Sequence, residues 1–66
     1  MEILINGQPR QAPEGQTVLE LLQSLALDPA AVAVELDGQI LQRTRWKEKA
    51  LQPGARLEIV QFVGGG

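Results

Sequence analysis

The sequence contains no cysteine and no histidine. A thiolate nucleophile, a cysteine-ligated metal, the usual general base and the usual zinc ligand are therefore all missing. Carboxylates remain. Glu14, Glu20, Glu35, Asp37 and Glu58 fall on different segments, with neither the facing geometry of an acid–base pair nor the clustering of an oxygen-ligated metal. No metal or glycosidase-like site is expected from them. What stands out is the close of the sequence, QFVGGG: two large apolar residues, Phe62 and Val63, then Gly64, Gly65 and Gly66. Glycine loses more conformational freedom on ordering than any other residue, so a run of it at an end is the stretch least able to hold one shape. The expected division is a folded domain over 1–63 and a flexible tail over 64–66.

The rest of the chain must present that tail. At 66 residues it is one domain, near the size where folding buries only about 60% of the unfolded surface. Hydrophobic residues make up 44% and the mean hydropathy is −0.05, enough for a globular fold and too apolar for disorder. Phe62 and Trp46 are the only aromatics, so the core must be aliphatic. The net charge is −2, whereas a nucleic-acid partner calls for a basic face; none is expected. No stretch approaches the roughly 20 apolar residues of a membrane span, and the amino end lacks a basic region followed by an apolar one. A cytoplasmic protein without a membrane partner is the expectation.

In MEILINGQP, Ile3 and Ile5 alternate with Glu2 and Leu4 and run into Asn6-Gly7, the strongest short hairpin signal. The return segment QPRQA is polar and holds Pro9, which confines it to a sheet edge or a bulge. Thr17 followed by Glu20 has capping-box spacing. Val18, Leu21, Leu22 and Leu25 then form one helical stripe, expected to end near Asp28-Pro29. Val32, Val34 and Leu36 share a strand face, Asp37-Gly38 turns, and Ile40 and Leu41 begin a return. QRTRWKEKAL reads as a loop with a short helical turn, anchored by Trp46 and Leu51; its basic residues read as a solvated face, with contact to an acidic partner surface as the alternative. RLEIVQFV is the last strand, with Leu57, Ile59 and Val63 on one side and Val60 and Phe62 on the other. The class is α+β, one helix packed across one face of a small mixed sheet. That order suits the β-grasp (ubiquitin-like) architecture, in which the first and last strands run parallel at the centre.

The segments ILINGQP, GQTVLELLQSL, AVAVELDGQILQRTRW and above all LEIVQFVGGG resemble the ThiS family, sulfur carriers of thiamine biosynthesis, from Met1 to Gly66. Two turns depart from the family pattern. QPGAR replaces an acidic Gly-Asp sequence, and Asp37 stands where an Asn-Gly turn is usual. The resemblance implies a protein co-substrate rather than an enzyme, binding no cofactor itself. A ThiF-like adenylating enzyme would use ATP and Mg²⁺ to convert the Gly66 carboxylate into an acyl-adenylate. A persulfide donor would turn this into a thiocarboxylate, and thiazole synthase (ThiG-like) would take up the sulfur.

That role accounts for the glycines. Four extended residues from Val63 span at most about 13–14 Å, long enough to reach into a nucleotide site and thin enough, without Cβ atoms, to pass a narrow channel. Because one helix covers only one face of the sheet, Leu4, Val60 and Phe62 are expected on the other, and with Val63 they form the candidate docking surface for the partner enzymes. The alternative is that the 42–51 connection covers them, with Trp46 folded over. Three further readings of the whole chain stand beside the thiamine carrier: a carrier like the small subunit of molybdopterin synthase, a β-grasp interaction module with an inert tail, and a ubiquitin-like modifier joined to lysines.

Overall fold

The computed structural model describes residues 1–62. Val63, Gly64, Gly65 and Gly66 lie outside the described residues. The opening alternation produces β1, Glu2–Ile5, which buries Ile3 and half-buries Ile5 on one side. Asn6 and Gly7 take φ of 50° and 81°, the left-handed pair that reverses a hairpin in two residues. β2, Gln8–Gln11, then returns antiparallel with Gln8 opposite Ile5 and Gln11 opposite Glu2. All of β2 is exposed, and it is the outer strand, where the missing N–H of Pro9 costs no ladder bond.

Helix α1, Val18–Ser24, starts at the expected capping box. The Thr17 hydroxyl accepts from the Glu20 N–H at 3.1 Å, and the Glu20 carboxylate accepts from the Thr17 N–H at 2.9 Å. Val18, Leu21 and Leu22 are buried, with Leu25 packed beside them; each fully buried leucine contributes about 1.5–3 kcal/mol. The helix stops short of Asp28-Pro29. Leu25 is its cap, Ala26 swings to φ 57°, and the N–H groups of Ala26 and Leu27 donate back to the Gln23 and Leu22 carbonyls, each at 3.0 Å. Glycine ordinarily makes this ending. Pro29 instead opens a separate 3-10 turn, Pro29–Ala31, capped by the Asp28 carboxylate.

Strands β3, Val32–Leu36, β4, Gln39–Ile40, and β5, Arg56–Gln61, complete one five-stranded sheet in the order β2-β1-β5-β3-β4. β5 runs parallel to β1 and antiparallel to β3. The return after Asp37-Gly38 is shorter than expected; Leu41 lies just past the strand, and its N–H still donates to the Val34 carbonyl at 2.9 Å. The expected helical turn is Arg43–Arg45, and the Trp46 after it is 2% exposed, its indole N–H donating to the Leu41 carbonyl. Bonds from Val18 N–H to the Lys49 carbonyl and from Leu51 N–H to the Gln16 carbonyl tie the 42–51 connection to the start of α1. Trp46, Leu51, the helix stripe and one face of the sheet thus make a single core, in which every buried described residue is apolar. Among the described residues no helix lies on the sheet's other face, as the β-grasp arrangement requires.

Candidate functional site

β5 is the last strand before the glycines in the sequence, and the candidate site is built around it. Alternation along it buries Leu57 and half-buries Ile59 on the core side, leaving Val60 on the open face 57% exposed. Phe62, two residues on, is 59% exposed, with its N–H donating to the Ala31 carbonyl at 2.7 Å. Trp46 does not fold over either residue; it belongs to the core beneath α1.

Register identifies a third member that alternation in the sequence left unassigned. Val60 stands opposite Ala33 and Glu58 opposite Glu35, while on the far side of β3 Glu35 stands opposite Ile40. Directly paired residues share a face, so Ile40 joins Val60 across the small side chain of Ala33. Ile40 is 79% exposed, and Ile40, Val60 and Phe62 are the exposed large hydrophobics of the described chain. A dimple of about 100 Å³ between Ala33, Glu35, Ile40, Glu58 and Val60 connects the first two. Phe62 and Ile40 also border one open groove with Ala33, Arg43 and Trp46. Leu4 shares this face but pairs with Arg56, four residues back from Val60, and is half-buried. At about 3.3 Å per residue this separates it from Val60 by roughly 13 Å, with Arg56 and Glu58 between. The signal for Ile40 lay in the turn: a two-residue Asp37-Gly38 reversal fixes which residue faces Glu35.

The turns on both sides of β5 hold it through their first residues. Asp37, at φ 51°, donates its N–H to the Arg56 carbonyl at 2.8 Å and accepts the Arg56 N–H on Oδ1 at 3.0 Å. Asn6 reaches the other edge with its side chain, accepting from the Ile59 N–H at 2.7 Å and donating to the Ile59 carbonyl at 3.1 Å.

Around the patch the charges are exposed. Glu35, Asp37, Arg56 and Glu58 surround one open cleft, and Arg45 and Lys49 border another beyond Ile40. Among the described residues the ion pair is Arg45–Glu48 at 3.8 Å, and the Arg43 guanidinium lies 5.8 Å from the Trp46 ring centre. No three ligating side chains among them are grouped to hold a metal ion, and no described helix is long and apolar enough to cross a membrane. Chemically the described surface offers apolar contact at Ile40, Val60 and Phe62, flanked by exposed charges.

The model of the ThiS family matches residues 3–66. The chain is 38% identical over 66 residues to the sulfur carrier protein ThiS of Escherichia coli strain K12, with 100% of both chains covered. It is 39% identical to a thiazole synthase of Paramagnetospirillum magneticum, again over its whole length, but spans only 20% of that relative. The crystal structure of thiamine biosynthesis protein ThiS from Geobacter metallireducens superposes with a TM-score of 0.85 at 33% identity, covering both chains completely.

Proposed function

This chain belongs to the ThiS family, and on that premise we propose that it is a sulfur carrier of thiamine biosynthesis, loaded at the carboxylate of Gly66. The observation that carries the reading is the reach of the match, which runs through the glycines to Gly66 itself. It is supported by an exposed apolar patch of Ile40, Val60 and Phe62 beside the residues that lead to them.

A carboxylate is a poor electrophile because its negative charge repels a nucleophile and oxide is a poor leaving group. Attack by the Gly66 carboxylate on the α-phosphate of ATP, with loss of pyrophosphate, creates a mixed anhydride whose leaving group is AMP. The terminal sulfur of a persulfide then attacks the carbonyl and AMP departs. Cleavage of the S–S bond by a thiol leaves the thiocarboxylate, which hands its sulfur to the forming thiazole. An adenylating enzyme with Mg²⁺ supplies the first step and a thiazole synthase the last. The carrier contributes position: Gly64 and Gly65 add no Cβ to a narrow channel, and Gly66 leaves its carbonyl unhindered. Two relatives in which a chain like this one makes up 20% of a thiazole synthase support that partnership.

The test is the intact mass of the protein after incubation with a ThiF-like adenylating enzyme, ATP, Mg²⁺ and a persulfide source. Exchange of one oxygen for sulfur, mapped to the peptide ending at Gly66, is expected. An unchanged mass with an enzyme active on another carrier overturns the proposal, and an isopeptide-linked product converts the chain into a modifier.

A further inference from the structure

On the β1 side, the pairing that holds β5 runs out early. Leu4 N–H donates to the Ala55 carbonyl at 2.9 Å and Asn6 N–H to the Leu57 carbonyl at 2.8 Å, after which the chain turns away at Asn6-Gly7. The next outward backbone groups along this edge are those of Ile59. A single side chain meets both, the Asn6 amide accepting from the Ile59 N–H at 2.7 Å and donating to its carbonyl at 3.1 Å. The amide replaces one two-bond rung of the ladder after the strand has left.

Two demands select the residue type. At φ 50° the position favours Gly, Asn or Asp, and the rung needs a donor and an acceptor on one short planar group, which among these only Asn carries. Without the rung, the stretch from Ile59 to Phe62 is held from the β3 side alone, through its pairing and the Phe62 bond to Ala31.

We propose that Asn6 is a positioning residue for group transfer at Gly66. By fixing Ile59 it sets the direction in which β5 delivers the residues beyond Phe62, so that docking at Ile40, Val60 and Phe62 also brings the carboxylate to the nucleotide. This rests on the carrier reading. Three strand residues carry the chain from Ile59 to Phe62, about 10 Å at roughly 3.3 Å each. A swing of about 6° at Ile59 therefore moves Phe62, and the point from which the glycines start, by about 1 Å, an error able to cost up to about a hundredfold in rate.

The experiment compares wild type with Asn6→Gly, which tolerates the φ without a side chain, and Asn6→Asp, which keeps the acceptor and loses the donor. ATP–pyrophosphate exchange is measured with a ThiF-like adenylating enzyme, ATP and Mg²⁺, alongside amide exchange at Ile59 and Leu57. Because the carrier is the substrate, a partly unfolded variant lowers its effective concentration and raises KM at constant kcat. A misdirected tail lowers kcat at saturating carrier. The expected result for Asn6→Gly is a kcat reduced at least threefold with KM within twofold, and Ile59 amide exchange at least tenfold faster than in wild type while Leu57 is unchanged. Asn6→Asp falls between. A change in KM alone, or wild-type kcat in Asn6→Gly despite faster Ile59 exchange, overturns the positioning role. Absence of exchange with the wild-type chain overturns the carrier reading itself, and the positioning role with it.

Discussion

At the scale of single residues, the two Asx-Gly turns that border β5 carry different side chains because they lack different things. Asp37 still has its own N–H to give to the Arg56 carbonyl, so its side chain need only accept, and a carboxylate serves. An acceptor alone suffices there, so the departure from an Asn-Gly turn leaves both bonds to Arg56 in place. Asn6 has spent its N–H on Leu57 and needs both functions in the side chain. Phe62 makes the opposite case, a large ring kept 59% exposed. Phe62→Ala removes little buried area, so its stability should stay within about 0.5–1 kcal/mol of wild type. An apolar anchor lost from a docking patch costs more than about 1 kcal/mol of binding, and KM of the carrier with its adenylating enzyme should rise about tenfold. Unchanged KM would remove Phe62 from the interface. Gly65→Ala tests thinness instead: the melting midpoint should hold while pyrophosphate exchange falls at least about tenfold, and near wild-type exchange would end the channel argument.

At the scale of elements, α1 shows where a short sequence is readable and where it is not. The start was legible because Thr17 and Glu20 at capping-box spacing satisfy two backbone donors by side-chain chemistry that belongs to those residue types. Both Asx-Gly turns were legible for the same kind of reason, and Pro9 placed β2 at the edge. The end of α1 was not, because Ala26 adopts a left-handed φ of 57° that alanine does not advertise. Ile40 went unassigned as a surface residue because its neighbours Ala33 and Val60 are set by register across strands rather than by local pattern. Leu4 was placed on the correct face, yet pairing at Arg56 puts it away from the patch. The strained ending makes a sharp prediction. A left-handed alanine costs about 1–2 kcal/mol, while glycine adds about 0.4–1 kcal/mol of unfolded-state entropy. Ala26→Gly should therefore stabilise the fold by about 0.5–1 kcal/mol, a rise of roughly 2–8 °C in Tm. A lower Tm would show that the Ala26 methyl contributes packing that the turn geometry does not reveal.

At the scale of the whole molecule, the carrier reading assigns folding and function to different parts of one short chain. The buried residues run from Ile3 to Leu57, and the open face beyond them is where Ile40, Val60 and Phe62 stay exposed. A domain this small has little stability to spare, so on the proposed function a reactive end with no packing duty is the expectation. A chain ending at Val63 is accordingly expected to unfold at the same temperature as the full chain, within about 2 °C, and to lose sulfur loading altogether. Trp46 is the only tryptophan and is 2% exposed, so its fluorescence reports the core directly. Its transition should coincide with that of far-UV circular dichroism in both proteins, as a single cooperative unit requires. A midpoint lowered by more than about 4 °C, the equivalent of roughly 1 kcal/mol at this size, would mean that the glycines contribute to the fold. The separation between a body that docks and an end that reacts would then fail, even if loading at Gly66 were confirmed.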